Sequence, residues 1–132
     1  MSHAELTARV RALYEAFNRC DWNALFADAD PEVEWAPLEE NVSYRGRAAI
    51  IEYFDRWLAG WVDFQLELEE LEFTPSEDRM FAALRYLGKV KGSDKVIDGH
   101  FFSVIGLRRG RFWRGEEYRE RAEARAAFEW HE

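Results

Sequence analysis

Four side chains in this 132-residue sequence have the types and spacing for acid–base chemistry. His100 stands in Gly99-His100-Phe101-Phe102, a strongly apolar stretch. An imidazole titrates near neutrality and serves as general acid or base. A histidine in this setting is equally a core residue held by a neighbour, or one that faces a second copy of the chain. Glu117 is the second candidate. A carboxyl group among apolar side chains keeps its proton more readily and can pass it to a substrate. The competing reading is a rim carboxylate paired with Arg114, Arg119 or Arg121, and Glu116 takes its place if the strand phase is reversed. Asp98 precedes His100 by two residues, so both lie on one strand face with Cα atoms about 6.5 Å apart. An Asp so placed can orient an imidazole and stabilise its cation. Asp98-Gly99 also reads as a plain strand edge. Tyr14 can donate a hydrogen bond to a developing oxyanion, or fill the core with its hydroxyl at the rim.

Other chemistries find less support. The histidines are His3, His100 and His131, two of them near the termini, so no metal site is expected. Cys20 is the single cysteine and forms neither an internal disulfide nor a cysteine cluster. The sequence has no GxGxxG, P-loop or GxSxG motif, and no cofactor is expected. Ser43 and Ser103 have no histidine in a triad arrangement. Lys plus Arg number 18 against 26 Asp plus Glu, a formal charge of −8. That balance argues against nucleic-acid and anionic-membrane partners. Arg108-Arg109-Gly110-Arg111 then reads as a solvated hairpin. No apolar run approaches the roughly 20 residues that span a bilayer. Met1-Ser2-His3-Ala4-Glu5 lacks the basic and apolar regions of a signal peptide, and the expected compartment is the cytoplasm.

The elements that must position these groups follow from periodicity. Apolar residues are 48% of the chain, which fits one globular domain over 1–132. Leu6, Val10, Leu13 and Phe17 form one stripe of a helix from about His3 to about Arg19. Asp21 caps a short second helix, Trp22 to about Ala29, ended by Asp30-Pro31. Val33-Glu34-Trp35 reads as a short strand and Pro37 to Tyr44 as a loop. A third helix from near Gly46 to about Ala59 aligns Ile50, Phe54, Trp57 and Trp61 along one face. The period then becomes two, through Val62, Phe64, Leu66 and Leu68. It slips at Glu69-Glu70 and resumes at Leu71 and Phe73, the signature of a β-bulge that bends the strand. Three more long strands follow, near Met80–Val90, Val96–Leu107 and Phe112–Arg119, joined by hairpins, with a short helix from about Arg121 to Phe128. The expected class is α+β: three N-terminal helices cover one face of a strongly bent, mostly antiparallel sheet. With 16% aromatics, six of them Trp, a pocket between sheet and helices would be aromatic.

Four stretches in this order resemble the SnoaL-like branch of the nuclear transport factor 2 superfamily. They are Tyr14-Glu15-Ala16-Phe17-Asn18-Arg19-Cys20-Asp21-Trp22, with Cys20 where the family has Gly, then Asp30-Pro31-Glu32-Val33-Glu34-Trp35, Tyr44-Arg45-Gly46-Arg47-Ala48-Ala49-Ile50, and Gly110-Arg111-Phe112-Trp113-Arg114 with its tail Glu117 to Ala124. The resemblance implies a cone-shaped barrel, often a homodimer through its sheet. It also implies a range of cofactor-independent isomerases, cyclases and dehydratases beside binding proteins without catalysis. Fold therefore does not give function. Aligned on Gly110, the resemblance puts Asp98, His100, Phe102 and Val104 on the cavity face, with Trp113, Gly115, Glu117 and Arg119. A one-residue slip reverses both sets. Tyr14, Trp35, Phe54, Trp57 and Trp61 complete the expected lining. Trp35 and Phe102 occupy the places of the two acidic residues of ketosteroid isomerases, and Leu13 rather than Tyr14 that of their tyrosine, which counts against that reaction. Three expectations remain open: an acid–base enzyme acting on a small hydrophobic or aromatic molecule, a noncatalytic binder of such a molecule, and a dimeric module whose cone is filled by side chains.

Overall fold

The computed structural model describes residues 2–38 and 42–130. The chain runs α1 (His3–Asn18), α2 (Trp22–Leu25), β1 (Glu34–Ala36), β2 (Tyr44–Arg45), α3 (Arg47–Leu58), β3 (Trp61–Phe73), β4 (Arg79–Val90), β5 (Val96–Arg108), β6 (Arg111–Tyr118) and α4 (Arg121–Glu129). One open, curved sheet has the order β2-β1-β6-β5-β4-β3. The β1–β6 pair is parallel and every other pair is antiparallel. The expected α+β arrangement is the one observed.

Local chemistry accounts for most boundaries. The Ser2 hydroxyl accepts from the Glu5 N–H at 3.1 Å and starts α1. Asp21 does the same for α2, accepting from the Ala24 N–H at 3.2 Å. The second helix is shorter than expected and stops at Leu25 rather than Ala29. Beyond it the Asp30 N–H donates to the Phe112 carbonyl at 2.8 Å, so a tertiary bond turns the chain onto β6. Tyr44, expected as the end of a loop, pairs with Trp35 of β1, and Arg45 beside it pairs with Glu34. Residues 39–41 of that loop lie outside the described residues.

The bulge expected at Glu69-Glu70 is present as a register shift between Leu68 and Glu70 against β4. A second shift between Val62 and Gln65 has no counterpart in the sequence reading. Asp63 adopts φ 54° there. This reverses the strand start: Val62 is exposed, while Trp61 and Phe64 both turn inward over Gly88. A side chain at Gly88 would begin 2.9 Å from the Trp61 ring.

The main difference concerns the sheet's second face. Met80, Ala82 and Leu84 of β4 pack towards α1, with Leu6 and Val10. Phe81 and Ala83 pack on the other side, with Val104, Ala124 and Phe128. The sheet is thus covered on both faces, by α1–α3 and by α4. That is why five consecutive residues, Met80 to Leu84, are buried. Arg121 donates to both carboxylate oxygens of Glu70, at 2.8 and 2.6 Å, and Arg125 pairs with Glu72. The Arg121 hydrogen bond holds the Glu70 carboxyl below its usual range. Such exposed pairs orient α4 but anchor it weakly. The apolar contact is the anchor.

Two outcomes follow. Phe128→Ala lowers the unfolding free energy by about 3 kcal/mol in chemical denaturation, and a change below about 1 kcal/mol would show that α4 is not seated on the sheet. Because the Glu70 pKa is depressed in the folded state, its contribution is full above the unfolded value of about 4.3 and fades as pH falls. Glu70→Gln therefore flattens the acid limb of the stability profile, measured between pH 7 and pH 3.

Candidate functional site

A cavity of about 210 Å³ lies between the concave face of the sheet and α1, α2 and α3. Strand alternation selects what enters it. On β5 the lining residues are Phe101, Ser103, Ile105 and Leu107. On β4 they are Met80, Leu84 and Tyr86, and on β6 Phe112 and Glu117. Helix α1 supplies Val10, Leu13, Tyr14 and Phe17, and α3 supplies Tyr53, Phe54 and Trp57. Trp35 of β1, Trp61, Phe64 and Leu66 of β3, Leu25 of α2, Phe26 and Leu38 complete the described wall. The side chain of Asn18 sets the height of α1. It accepts from the Leu66 N–H and donates to the Leu66 carbonyl, both at 2.9 Å, and so continues the edge of β3.

The β5 phase is opposite to the one expected. Asp98, His100, Phe102 and Val104 belong to the other face of the sheet, and none lines the cavity. His100 is exposed, with Nε2 3.1 Å from Glu69 Oε1. Asp98 accepts two hydrogen bonds from Arg85, at 2.9 and 2.7 Å, which hold its carboxyl low. Phe102 packs beside Phe81 under α4. Sequence alternation could not settle this phase, because β5 is apolar on both faces where α4 covers it. The glycines carry the missing signal. A side chain on Gly99 would begin 2.4 Å from the Tyr86 ring, and one on Gly115 would begin 2.3 Å from Trp35. Each glycine makes room for a ring on the cavity side.

On β6 the expected phase is right for Glu117 and Gly115 and wrong for Trp113. The pairing slips between Gly106 and Leu107, whose partners are Arg114 and Phe112, so Trp113 is skipped. It lies beneath the Arg108 guanidinium, 3.7 Å from the ring centre, and Phe112 faces the cavity instead. Glu116, the alternative to Glu117, accepts from Arg114 at 2.7 Å and from the Tyr118 hydroxyl.

Tyr14, Trp35, Phe54, Trp57 and Trp61 all line the cavity. Their rings pack largely edge to face: Trp35 meets Phe54 at 6.0 Å and Phe112 at 6.1 Å, and Phe17 meets Phe54 at 5.3 Å. Among the described residues, one charged side chain stands among these rings. Glu117 Oε1 accepts from the Leu38 N–H at 2.9 Å. Ser103 is its register partner on β5, so the two side chains stand beside each other on the cavity floor. Among the described residues, the Tyr14 hydroxyl, the Trp35 indole N–H and the Ser103 hydroxyl are buried without a hydrogen-bond partner. Burial, and then the charge of Glu117, push the Tyr14 phenol well above its ordinary pKa. It stays protonated and remains a donor at neutral pH. Sequence reasoning missed Ser103, whose one signal is a hydroxyl in an otherwise apolar strand. No group of three or more His, Cys, Asp or Glu side chains converges among the described residues, and His131 lies outside them.

A buried polar group without a partner costs stability. Ser103→Ala should therefore stabilise the protein, by about 1 kcal/mol in urea unfolding. A loss of the same size would show that the hydroxyl is hydrogen-bonded in solution.

The architecture matches known structures of low sequence identity. A candidate polyketide cyclase from Xanthomonas campestris pv. campestris is 24% identical over 89% of this chain and 92% of its own, with a TM-score of 0.76. A candidate SnoaL-like polyketide cyclase from Jannaschia sp. CCS1 is 13% identical over 100% and 98%, with a TM-score of 0.77. An NTF2-like protein of unknown function from Burkholderia pseudomallei K96243 is 21% identical over 97% and 98%, with a TM-score of 0.74. These likenesses establish the cone-shaped NTF2-like fold and nothing about chemistry. No curated protein matches the sequence. No described helix is long and apolar enough to cross a membrane. A family model for the SnoaL-like domain matches residues 10–115, and the chain belongs to that family.

Proposed function

We propose that the cavity binds a small, flat, largely apolar molecule and moves a proton on it without a cofactor, as an isomerase, cyclase or dehydratase would. One observation carries this reading: Glu117 is set among aromatic rings, with the protonated Tyr14 phenol close enough to feel its charge. A carboxylate in such a site acts as the base towards an acidic C–H. A neutral phenol and a buried N–H stabilise the oxygen on which charge then develops. The Leu38 N–H holds the carboxylate in place through Oε1. His100 and Asp98 have no part in this reading, since both stand on the far face of the sheet. The candidate cyclase likenesses agree with it at the level of fold. The aromatic walls bring in bicyclic compounds as ligands, since a cavity of about 150 Å³ already holds benzene.

A noncatalytic binder is the second reading, favoured by the dominance of apolar lining over polar groups. A homodimer through the sheet is compatible with either reading, although α4 reduces the face open to it.

Deuterium exchange separates the two. The wild type is mixed with 1-tetralone in D₂O, and loss of the α-protons is followed by mass spectrometry. Catalysis predicts exchange above the buffer rate, reduced at least about 100-fold by Glu117→Gln and reduced less by Tyr14→Phe, with binding of the ketone retained. Binding without accelerated exchange would leave the noncatalytic reading.

A further inference from the structure

We propose that Trp35 and Ser103 are specificity-determining donors that select a neutral planar ligand carrying two separated acceptor oxygens. This rests on the proposed ligand-binding role of the cavity and goes beyond it in naming the ligand's polar pattern.

The placement comes from the sheet. Strands β1, β6 and β5 are neighbours in that order. Trp35 on β1 pairs with Gly115 of β6, and its ring lies over that glycine. Ser103 on β5 pairs with Glu117, two residues further along β6 on the same face. The two donors therefore flank the carboxylate from opposite sides. Adjacent strands lie about 4.8 Å apart, so strands β1 and β5 are separated by about 9.6 Å. The two side chains thus start from backbones on either side of Glu117, an arrangement that suits two ligand oxygens, one towards each donor. Two oxygens on opposite edges of a planar bicycle meet it, and the ring between them then faces Glu117.

Donor type narrows the class further. The indole N–H can only donate. Neither it nor the Ser103 hydroxyl has a hydrogen-bond partner among the described residues, and both atoms are buried. A buried donor of this kind discriminates strongly, because a ligand without the matching acceptor leaves it unpaired. Charge acts in the same direction. Among the described residues the lining holds Glu117 and no Lys, Arg or His. A ligand carboxylate would lose its water beside a like charge, with no cation among the described lining residues to receive it. Ketones, quinones and ethers keep acceptors without that penalty.

The test uses four probes and isothermal titration calorimetry on the full chain. They are 2,3-dimethyl-1,4-naphthoquinone, with two carbonyl oxygens, 2,3-dimethylnaphthalene, with none, 1-tetralone, with one, and the anion 2-naphthoate. The expected order is quinone, ketone, hydrocarbon, with the quinone at least about tenfold tighter than the hydrocarbon and 2-naphthoate without measurable binding. Trp35→Phe and Ser103→Ala should each weaken the quinone by about three- to tenfold and leave the hydrocarbon within about twofold. Equal affinity for quinone and hydrocarbon would overturn the inference while the binding role survives. So would 2-naphthoate binding as tightly as the quinone, or both variants keeping the wild-type preference. Failure of all four probes to bind would instead remove the ligand-binding reading itself.

Discussion

Side chains leave a β-strand alternately to its two faces, and here one face is covered by α1–α3 and part of the other by α4. Everything about the site depends on which residues fall to the concave side. Two interlocks fix that phase on the strands that matter. Tyr86 fills the space over Gly99, and Trp35 fills the space over Gly115. A one-residue slip would drive these rings into the side chains of His100 or Glu116 and would expel Ser103 and Glu117 from the cavity. The glycines, which contribute no atoms to the site, thus decide its composition. The β6 irregularity beside Gly106 adds a local exception, exchanging Trp113 for Phe112.

The cavity stays open because its walls are rings that brace one another. Trp57 packs edge-on against Phe64 at 4.7 Å, and Phe64 against Tyr86 and Trp61. Rings have few rotamers, so such a wall cannot collapse inward as a wall of leucines could. The Asn18 bridge to Leu66 keeps α1 from sliding along the sheet edge. Within this frame stand buried polar atoms that no described residue satisfies. Unsatisfied buried donors lower stability, and their retention beside a carboxylate is the usual mark of a site arranged for something other than folding. Tyr14, Trp35 and Ser103 come from a helix, an inner strand and a central strand, so no single element carries the polar set.

The far side of the sheet has a different logic. Glu67, Arg85 and Asp98 form a solvent-facing ion-pair chain, and His100 meets Glu69 beside it. Exposed pairs of this kind contribute little to stability and are weakened by salt. They give the half of the outer face left open by α4 a polar surface. The covered half is apolar, where Phe81, Val104 and Phe128 meet. One sheet therefore separates an aromatic chamber from a charged exterior, and His100 belongs to the exterior.

How much of this was legible in the sequence depends on the range of the interaction involved. The helix cap at Asp21, the apolar stripes of α1 and α3, the hairpins and the Glu69-Glu70 bulge are local patterns, and each stands where the residues placed it. The ring-rich lining from Tyr14, Trp35, Phe54, Trp57 and Trp61 was expected from the family resemblance joined to residue type, and these rings do face the cavity. The roles of His100, Asp98, Phe102 and Trp113 did not, because they depend on strand phase. In β5 the apolar residues occupy both faces, so alternation contains no information about which face is concave. That information lies in contacts between residues far apart in the chain, Gly115 with Trp35 and Phe128 with Phe81. The sequence by itself determined the elements, their order and the aromatic character of the interior, because those arise from spacing within one segment. Only the tertiary structure decided that Glu117 and Ser103 face the cavity and His100 does not, because the packing of distant side chains selects one of two phases that are equally apolar in the strand alone.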